Sequence, residues 1–306
     1  MYHALVIGKG PAGIQAAIYI ARARMSVAVV GMDGGSLQSA SLIDGYYGLA
    51  EPVSGPELQK IGEAQARRLG VSFADGQVVG AGFTDSGFYA LTPGERLEAR
   101  ALLIATGAKR AKAPVEGLGA YEGKGVSYCA VCDGFFFRGK NVGVLGYTDY
   151  AVQEAVELSS VASGVAIYTN GAEPDIGPIA QKQAGQFAFV REPVAGLFGD
   201  GRLEGLRFCG GGEARLDGLF VAYGIAGSAD IAKKLGVALS PKGDIATGRD
   251  QATNIPGVFA AGDCTGLFRQ IPVAAGQGAV AAQSMIAYIR ENSRGGTATT
   301  AHGCGL

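Results

Sequence analysis

Residues 4–13 read Ala4-Leu5-Val6-Ile7-Gly8-Lys9-Gly10-Pro11-Ala12-Gly13, an apolar run closed by three glycines spaced G-x-G-x-x-G. An unbroken apolar run of this kind suits a strand buried on both faces. Gly8 allows a tight turn, Gly10 lets the backbone approach a pyrophosphate, and Gly13 lets a helix pack on the strand. The alanine- and isoleucine-rich stretch that follows predicts a helix through about Arg24, and its N-terminus would offer free N–H groups and a positive dipole end to a phosphate. Val27-Ala28-Val29-Val30 predicts the next strand, so the chain opens as a βαβ unit. Asp33 stands 20 residues after Gly13, where a dinucleotide site places an acid for a ribose hydroxyl. The competing reading, a mere glycine turn, leaves the strand, the helix and the acid without a common reason.

The same grammar recurs downstream. Ser54 and Glu57 have capping-box spacing, ahead of a helix whose apolar face would carry Leu58, Ile61, Ala64 and Leu69. Leu102-Leu103-Ile104-Ala105-Thr106-Gly107 reads as a buried strand ending in a glycine turn. Asn141 to Gly146, Ala151 to Ser159 and Gly164 to Tyr168 read as strand, helix and strand, a second βαβ unit. Gly257 to Asp263 is again strand then turn, and a helix is predicted from about Val273 to Ile289. The expected class is therefore α/β with two Rossmann-like, three-layer nucleotide-binding domains.

Composition agrees with that class and excludes others. The chain has 306 residues, enough for about two domains, and 48% are hydrophobic. Only 17% are charged and the net charge is −1, so the basic excess of a nucleic-acid binder is missing. No apolar run approaches the roughly 20 residues that span a bilayer. The N-terminus goes straight into a strand without the pattern of a signal peptide, so a cytoplasmic protein with no membrane partner is expected. The 51 glycines show no collagen-like period and belong in turns and phosphate loops.

Cys129-Ala130-Val131-Cys132 is the second chemical signal. Two thiols at this spacing at a helix N-terminus can close a reducible disulfide, with one thiol ionising near neutral pH. The other readings are half of a zinc site or two structural thiols. A zinc site needs about four ligands. The only histidines are His3 and His302 and the other cysteines stand alone, so no metal site is expected.

With these residues in view, the chain resembles the low-molecular-weight thioredoxin reductases. Gly8 to Gly13, Ala105-Thr106-Gly107, Ser127-Tyr128-Cys129-Ala130-Val131-Cys132-Asp133-Gly134, and Gly262-Asp263 followed by Arg269-Gln270 carry the resemblance in the family's order. The Cys-Asp-Gly block is the most specific of them. The resemblance implies a discontinuous FAD domain (residues 1–113 and 245–292), an inserted middle domain (114–244) bearing the CxxC, and a tail (293–306). It implies FAD contacts from Gly8, Gly10, Pro11, Ala12, Gly13, Asp33, Gly35, Ala105, Thr106, Gly107, Gly262, Asp263, Arg269 and Gln270, with Asp263 on the ribityl chain. It also implies that Cys132 faces the flavin, that Cys129 attacks the partner's disulfide, and that Asp133 moves the proton. Thioredoxin as substrate, a homodimer, and a middle domain that rotates belong to the same implication.

Two departures concern the second nucleotide site. NADPH-dependent members read Gly-x-Gly-x-x-Ala there; this chain reads Gly146-Tyr147-Thr148-Asp149-Tyr150-Ala151. Thr148 puts a side chain where bare backbone meets phosphate, Asp149 adds charge, and the tyrosines add bulk. The His-Arg-Arg that holds the 2′-phosphate is replaced by Thr169-Asn170-Gly171, and Glu173 lies slightly farther on. The expectation is that NADPH is not the donor. The chain is similar in these losses to the thioredoxin reductases that take electrons from ferredoxin, an acidic partner for which Lys109-Arg110-Ala111-Lys112, Arg138 and Lys140 would offer a basic face. An ordinary solvated surface is the other reading of those cations. NADPH through a rebuilt site, a flavin-linked dithiol oxidase and a non-enzymatic redox sensor remain as alternatives.

Cys209 and Cys264 are expected to be packing residues, with the Cys264 thiol close to the flavin. Cys304 and His302 lie in the glycine-rich tail, which is expected to fold over a flavin.

Overall fold

The computed structural model describes residues 1–32, 35–107, 113–224 and 227–294. In chain order the first half runs β1 (Tyr2–Ile7), α1 (Pro11–Arg22), β2 (Val27–Gly31), α2 (Gly55–Arg68), β3 (Ser72–Asp75), β4 (Gly80–Thr84), β5 (Gly87–Leu91) and β6 (Arg96–Ile104). Next come β7 (Val126–Ser127), α3 (Ala130–Asp133), β8 (Asn141–Leu145), α4 (Asp149–Ser159), β9 (Gly164–Tyr168), α5 (Pro178–Ala184) and β10 (Ala188–Val190). The rest is β11 (Val194–Phe198), β12 (Gly205–Phe208), β13 (Glu213–Arg215), β14 (Gly218–Val221), α6 (Ser228–Lys234), β15 (Val258–Ala260) and α7 (Ile271–Arg294).

Both βαβ units form. β1 pairs with β2 in parallel, Ala4 opposite Val27 and Ile7 opposite Val30, and β8 pairs with β9 in parallel, Val142 opposite Val165. The first sheet has the order β3-β2-β1-β6-β5-β4, with β15 added in parallel on the far half of β6. The second is the parallel sheet β10-β9-β8-β14-β7, and a small antiparallel sheet β11-β12-β13 stands beside it. The α/β class with two Rossmann-like sheets is what the two apolar-glycine patterns led one to expect.

Alternation along β1 sends successive residues to opposite cores. Ala4 and Val6 pack with Ala16, Ala17 and Ile20 of α1 and with Ala281, Ala282 and Met285 of α7. Leu5 and Ile7 pack on the other face with Leu102 and Ile104 of β6 and with Ile231, Ala232 and Leu235 of the α6 segment. Full burial of each such Leu or Ile contributes about 1.5–3 kcal/mol. The apolar side of α6 thus belongs to the core of the first sheet, although 228–234 falls within the span 114–244 expected for the inserted unit.

Three expectations change. α2 begins as its capping box foretells, Ser54 Oγ accepting the Glu57 N–H at 3.2 Å. Its expected apolar face does not pack: Ile61 and Leu69 are 49% and 37% exposed. Gly55 and Ala66 are the buried residues instead: Ala66 packs with the apolar side of α1, and Gly55 lies against Leu37 and Ala40. Cys209 is exposed rather than packed, since it lies in the turn between β12 and β13. α7 runs on to Arg294, beyond the expected end near Ile289. Among the described residues no helix is long and apolar enough to cross a membrane.

Candidate active site

Four parallel strands, β2, β1, β6 and β15, end on the same edge of the first sheet, where open α/β sheets hold their ligands. Their terminal loops enclose a cavity of about 570 Å³. Gly8, Gly10, Pro11 and Ala12 line it from the end of β1, Gly35 from beyond β2, and Ala105, Thr106 and Gly107 from the end of β6. Gly262, Asp263, Arg269 and Gln270 close it from the end of β15 and the start of α7. Gly13 lies behind the wall, where a Cβ would come within 2.0 Å of the Gly8 carbonyl oxygen. Asp33 lies outside the described residues, as do Lys109, Arg110, Lys112, His302 and Cys304.

The cradle fits a dinucleotide. Gly8 has φ +121°, and a Cβ there would meet the Ala105 oxygen at 2.1 Å, so only glycine joins these two loops. At Gly10 the backbone faces open cavity, with nothing within 4 Å of a Cβ. Among the described residues Thr106 Oγ1 is buried without a hydrogen-bond partner, a polar atom left for a ligand. Sequence reasoning missed Lys9, which also lines the cavity and whose ammonium pairs with Asp75. The available signal was a cation inside a glycine loop, where small residues are the rule.

Cys129 and Cys132 are joined in a disulfide. Cys129 follows β7 by two residues and caps the single turn of α3, its sulfur accepting the Cys132 N–H at 3.2 Å. Asp133 accepts from Ser127 Oγ at 2.6 Å, and that oxygen accepts the Cys129 N–H at 3.2 Å. Asp133 therefore sits within the same network as the sulfurs. Cys129 is 2% exposed, whereas Cys132 is exposed, together with Val131, Phe135 and Phe136. None of residues 129–133 lines the cavity, so the disulfide and the cradle are separate in this arrangement.

Cys264 is a core residue, as expected, but it does not line the cavity. Its thiol donates to the Ala261 and Ile104 carbonyls, and burial pushes it up to about 12, which keeps it an inert thiol near neutral pH.

Beneath α3 lies a buried charge pair that no local pattern announces. Glu154 of α4 accepts the Ala130 N–H at 2.7 Å through one oxygen and pairs with Lys234 through the other. Their side chains are 1% and 3% exposed. Burial pushes the Glu154 carboxyl up, and the Lys234 ammonium and the Ala130 N–H pull against that. Replacing Lys234 by Met removes the main opposing charge, so the carboxyl rises further above its unfolded value of about 4.3. Stability of that variant is then retained below this unfolded value and lost as pH rises through the folded one. Chemical denaturation should show a deficit against the parent that grows to about 3–5 kcal/mol at pH 8 and shrinks towards pH 5. A deficit equal at both pH values would show that Glu154 is not the group left unpaired.

At the second nucleotide fold, Thr148 caps α4 without a side-chain cap bond; its hydroxyl donates instead to the Gly224 oxygen at 2.8 Å. Asp149 sits in the first turn, and its carboxylate accepts the Gly177 N–H at 2.9 Å. The Tyr147 and Tyr223 rings meet edge to face, 5.2 Å between centroids. Asn170 has φ +52° and accepts the Val194 N–H at 2.7 Å, while Arg191 pairs with Glu173 at 2.7 Å.

Residues 2–278 match the family described as pyridine nucleotide-disulphide oxidoreductase. A thioredoxin reductase of Coxiella burnetii is 35% identical over 310 residues, covering 94% of this chain and 97% of that protein. The atypical thioredoxin reductase TRi from Desulfovibrio vulgaris Hildenborough shares the fold with a TM-score of 0.90 at 40% identity, over 95% of this chain and 99% of that one. A ferredoxin-flavin thioredoxin reductase from Clostridium acetobutylicum gives 0.66 at 30% identity, over 96% and 98%.

Proposed function

The chain belongs to the pyridine nucleotide-disulphide oxidoreductase family as an FAD-dependent disulfide reductase of the thioredoxin reductase type, and we propose that it carries electrons from a reduced ferredoxin through Cys129–Cys132 to thioredoxin. The observation that carries the choice of donor is the Asp149 carboxylate in the first turn of α4. A pyrophosphate needs that helix end for its own negative charge. Here the position already holds a carboxylate, fixed by the Gly177 N–H, and the neighbouring Thr148 hydroxyl is turned towards Gly224. Thr169-Asn170-Gly171 brings no cation for a 2′-phosphate, and Asn170 spends its side-chain oxygen on the backbone of β11. The likeness to a ferredoxin-flavin thioredoxin reductase supports the same reading.

The residues divide into two duties. The loops after β1, β2, β6 and β15, with Asp33, hold the FAD, and Asp263 takes its ribityl chain. Bound FAD supplies the capacity to take electrons one at a time and release them as a pair. Cys132 is the sulfur that meets the flavin, Cys129 is the one that attacks thioredoxin, and Asp133 holds the proton that the thiol pair exchanges. Val131, Phe135 and Phe136, exposed around the disulfide, give the protein substrate an apolar landing area. Arg138 and Lys140 border it and, with Lys109, Arg110 and Lys112, provide the basic charge an acidic ferredoxin requires. We place residues 1–113 and 245–292 in the FAD unit and 114–244 in the CxxC unit, with α6 crossing back to the first core, and the enzyme acts as a homodimer.

The NADPH reading has one observation in its favour: Arg191, beyond β10, is a cation near the second fold, though paired with Glu173. Anaerobic titration of the flavoprotein with NADPH, NADH and photoreduced ferredoxin separates the readings. Prompt flavin bleaching by ferredoxin alone is expected. Fast bleaching by either nicotinamide cofactor would overturn the proposed donor and show that Asp149 leaves the helix end open.

A further inference from the structure

α6 serves two cores at once. Ile231 and Ala232 pack beneath the first sheet. Lys234, at the end of the same helix, leaves that core, lays its ammonium 5.7 Å from the centroid of the Tyr150 ring, and pairs with Glu154 of α4. The other oxygen of Glu154 holds the N–H of Ala130, the residue between the two cysteines that begins α3. One carboxylate therefore ties the disulfide-bearing turn to a cation anchored in the core of the first sheet. Val79 of the first sheet packs against the same α3–α4 corner, in one core with Ala130 and Val152. In this arrangement no part of the CxxC turn lines the flavin cavity.

Reduction of Cys129–Cys132 breaks the S–S bond, takes up two electrons from the reduced flavin and two protons, and leaves two thiols and oxidised flavin. Sulfur and flavin must touch for this, so the arrangement seen here has to open. We propose that the Glu154–Lys234 pair is a latch that holds the disulfide away from the flavin, and that its release sets the rate at which the disulfide returns there. Glu154 and Lys234 are positioning residues: Glu154 holds the disulfide turn by its backbone, Lys234 holds Glu154, and neither lines the cavity. A dry ion pair suits this task better than apolar contact. Its separation exposes two charges that must both find water or new partners, so it opens as one discrete event rather than by sliding. The inference rests on the disulfide reductase activity and is independent of which donor loads the flavin.

The test uses the holoenzyme carrying Glu154→Gln together with Lys234→Met, which removes both charges and keeps an acceptor for the Ala130 N–H. Two rates are read. The first is the return of flavin absorbance after reduction with one equivalent of dithionite, which reports electrons reaching the disulfide; it should rise about tenfold, the effect of roughly 1.4 kcal/mol on a barrier. The second is reduction of the oxidised disulfide by an external water-soluble phosphine, which needs no flavin chemistry; it should fall at least about twofold as the exposed arrangement loses population. Opposite shifts support the latch, because a merely structural lesion moves both rates the same way. Unchanged rates, or two rates moving together, overturn it. Should the double variant fail to fold, Glu154→Asp is read instead: its carboxylate is one methylene short of spanning Ala130 and Lys234, and the same opposite shifts, smaller in size, are expected.

Discussion

Replacing Cys132 by serine is expected to leave a yellow, folded protein that no longer reduces thioredoxin. The loss should exceed about a thousandfold, because the substitution deletes the covalent route itself and not merely part of a barrier worth about 1.4 kcal/mol per tenfold. FAD should stay bound, since no residue from 129 to 133 lines the cavity. The fold should stay intact as well: Cys132 is exposed, and the disulfide that is lost closes a loop of sequence separation 3, the short-loop end where a cross-link constrains the unfolded chain least. Cys129 then remains as a lone thiol. It can attack a disulfide but has no neighbour to release the mixed product. Incubation with oxidised thioredoxin should therefore yield a covalent one-to-one adduct that a small dithiol dissolves. Cys129 is 2% exposed in the arrangement seen here, so formation of that adduct also requires the CxxC turn to move. Steady-state turnover by Cys132→Ser would sink the disulfide pathway. An adduct formed by Cys129→Ser but not by Cys132→Ser would exchange the roles of the two sulfurs and make the exposed one the attacker.

What the sequence made legible was chemistry fixed by neighbours along the chain. Gly8 needs a positive φ, Gly13 must stay bare against the Gly8 carbonyl, and Ser54 caps its own helix through Glu57; each constraint is local, so each could be read without coordinates. The loops that line the cavity follow buried strands whose unbroken apolar runs announce them. The failures are tertiary. Leu58, Ile61 and Leu69 have helical spacing, yet α1 receives Gly62, against Ile14, and Ala66, while Ile61 and Leu69 stay exposed. Cys209 looked like a packing residue until its hairpin turn placed it outside. The Glu154–Lys234 pair had no signal at all: two charges far apart along the chain meet only because α6, after β14, returns the chain to the core of the first sheet. Asp149 was read as charge beside the phosphate position, and in the fold its carboxylate accepts the Gly177 N–H, a partner far along the chain that no local pattern announces.

The last two glycines of the fingerprint, Gly10 and Gly13, should separate cofactor binding from folding. Gly10 is the N-cap of α1, with φ −74° and ψ 178°, a conformation open to any residue. Among the described residues, nothing beyond its chain neighbours lies within 4 Å of a Cβ placed there. Threonine caps helices about as well as glycine, so Gly10→Thr should leave the unfolding free energy of the flavin-free protein within about 0.5 kcal/mol of the parent. Its branched side chain must then enter the space reserved for the pyrophosphate, and FAD affinity should fall about a hundredfold, or roughly 2.7 kcal/mol. Gly13 behaves differently because its would-be Cβ meets protein: the Gly8 oxygen at 2.0 Å and the Val6 side chain at 3.0 Å. The first of these is backbone at a turn already fixed by its own φ and cannot give way. Gly13→Ala should destabilise the flavin-free protein by about 3 kcal/mol, the upper end for overpacking, and lose FAD as a consequence. Stability has to be measured without flavin, since a bound ligand would add its own stabilisation and blur the two effects. If Gly10→Thr keeps parental affinity, the loop after β1 does not face the pyrophosphate and the assignment of the cradle fails, whatever Gly13→Ala does.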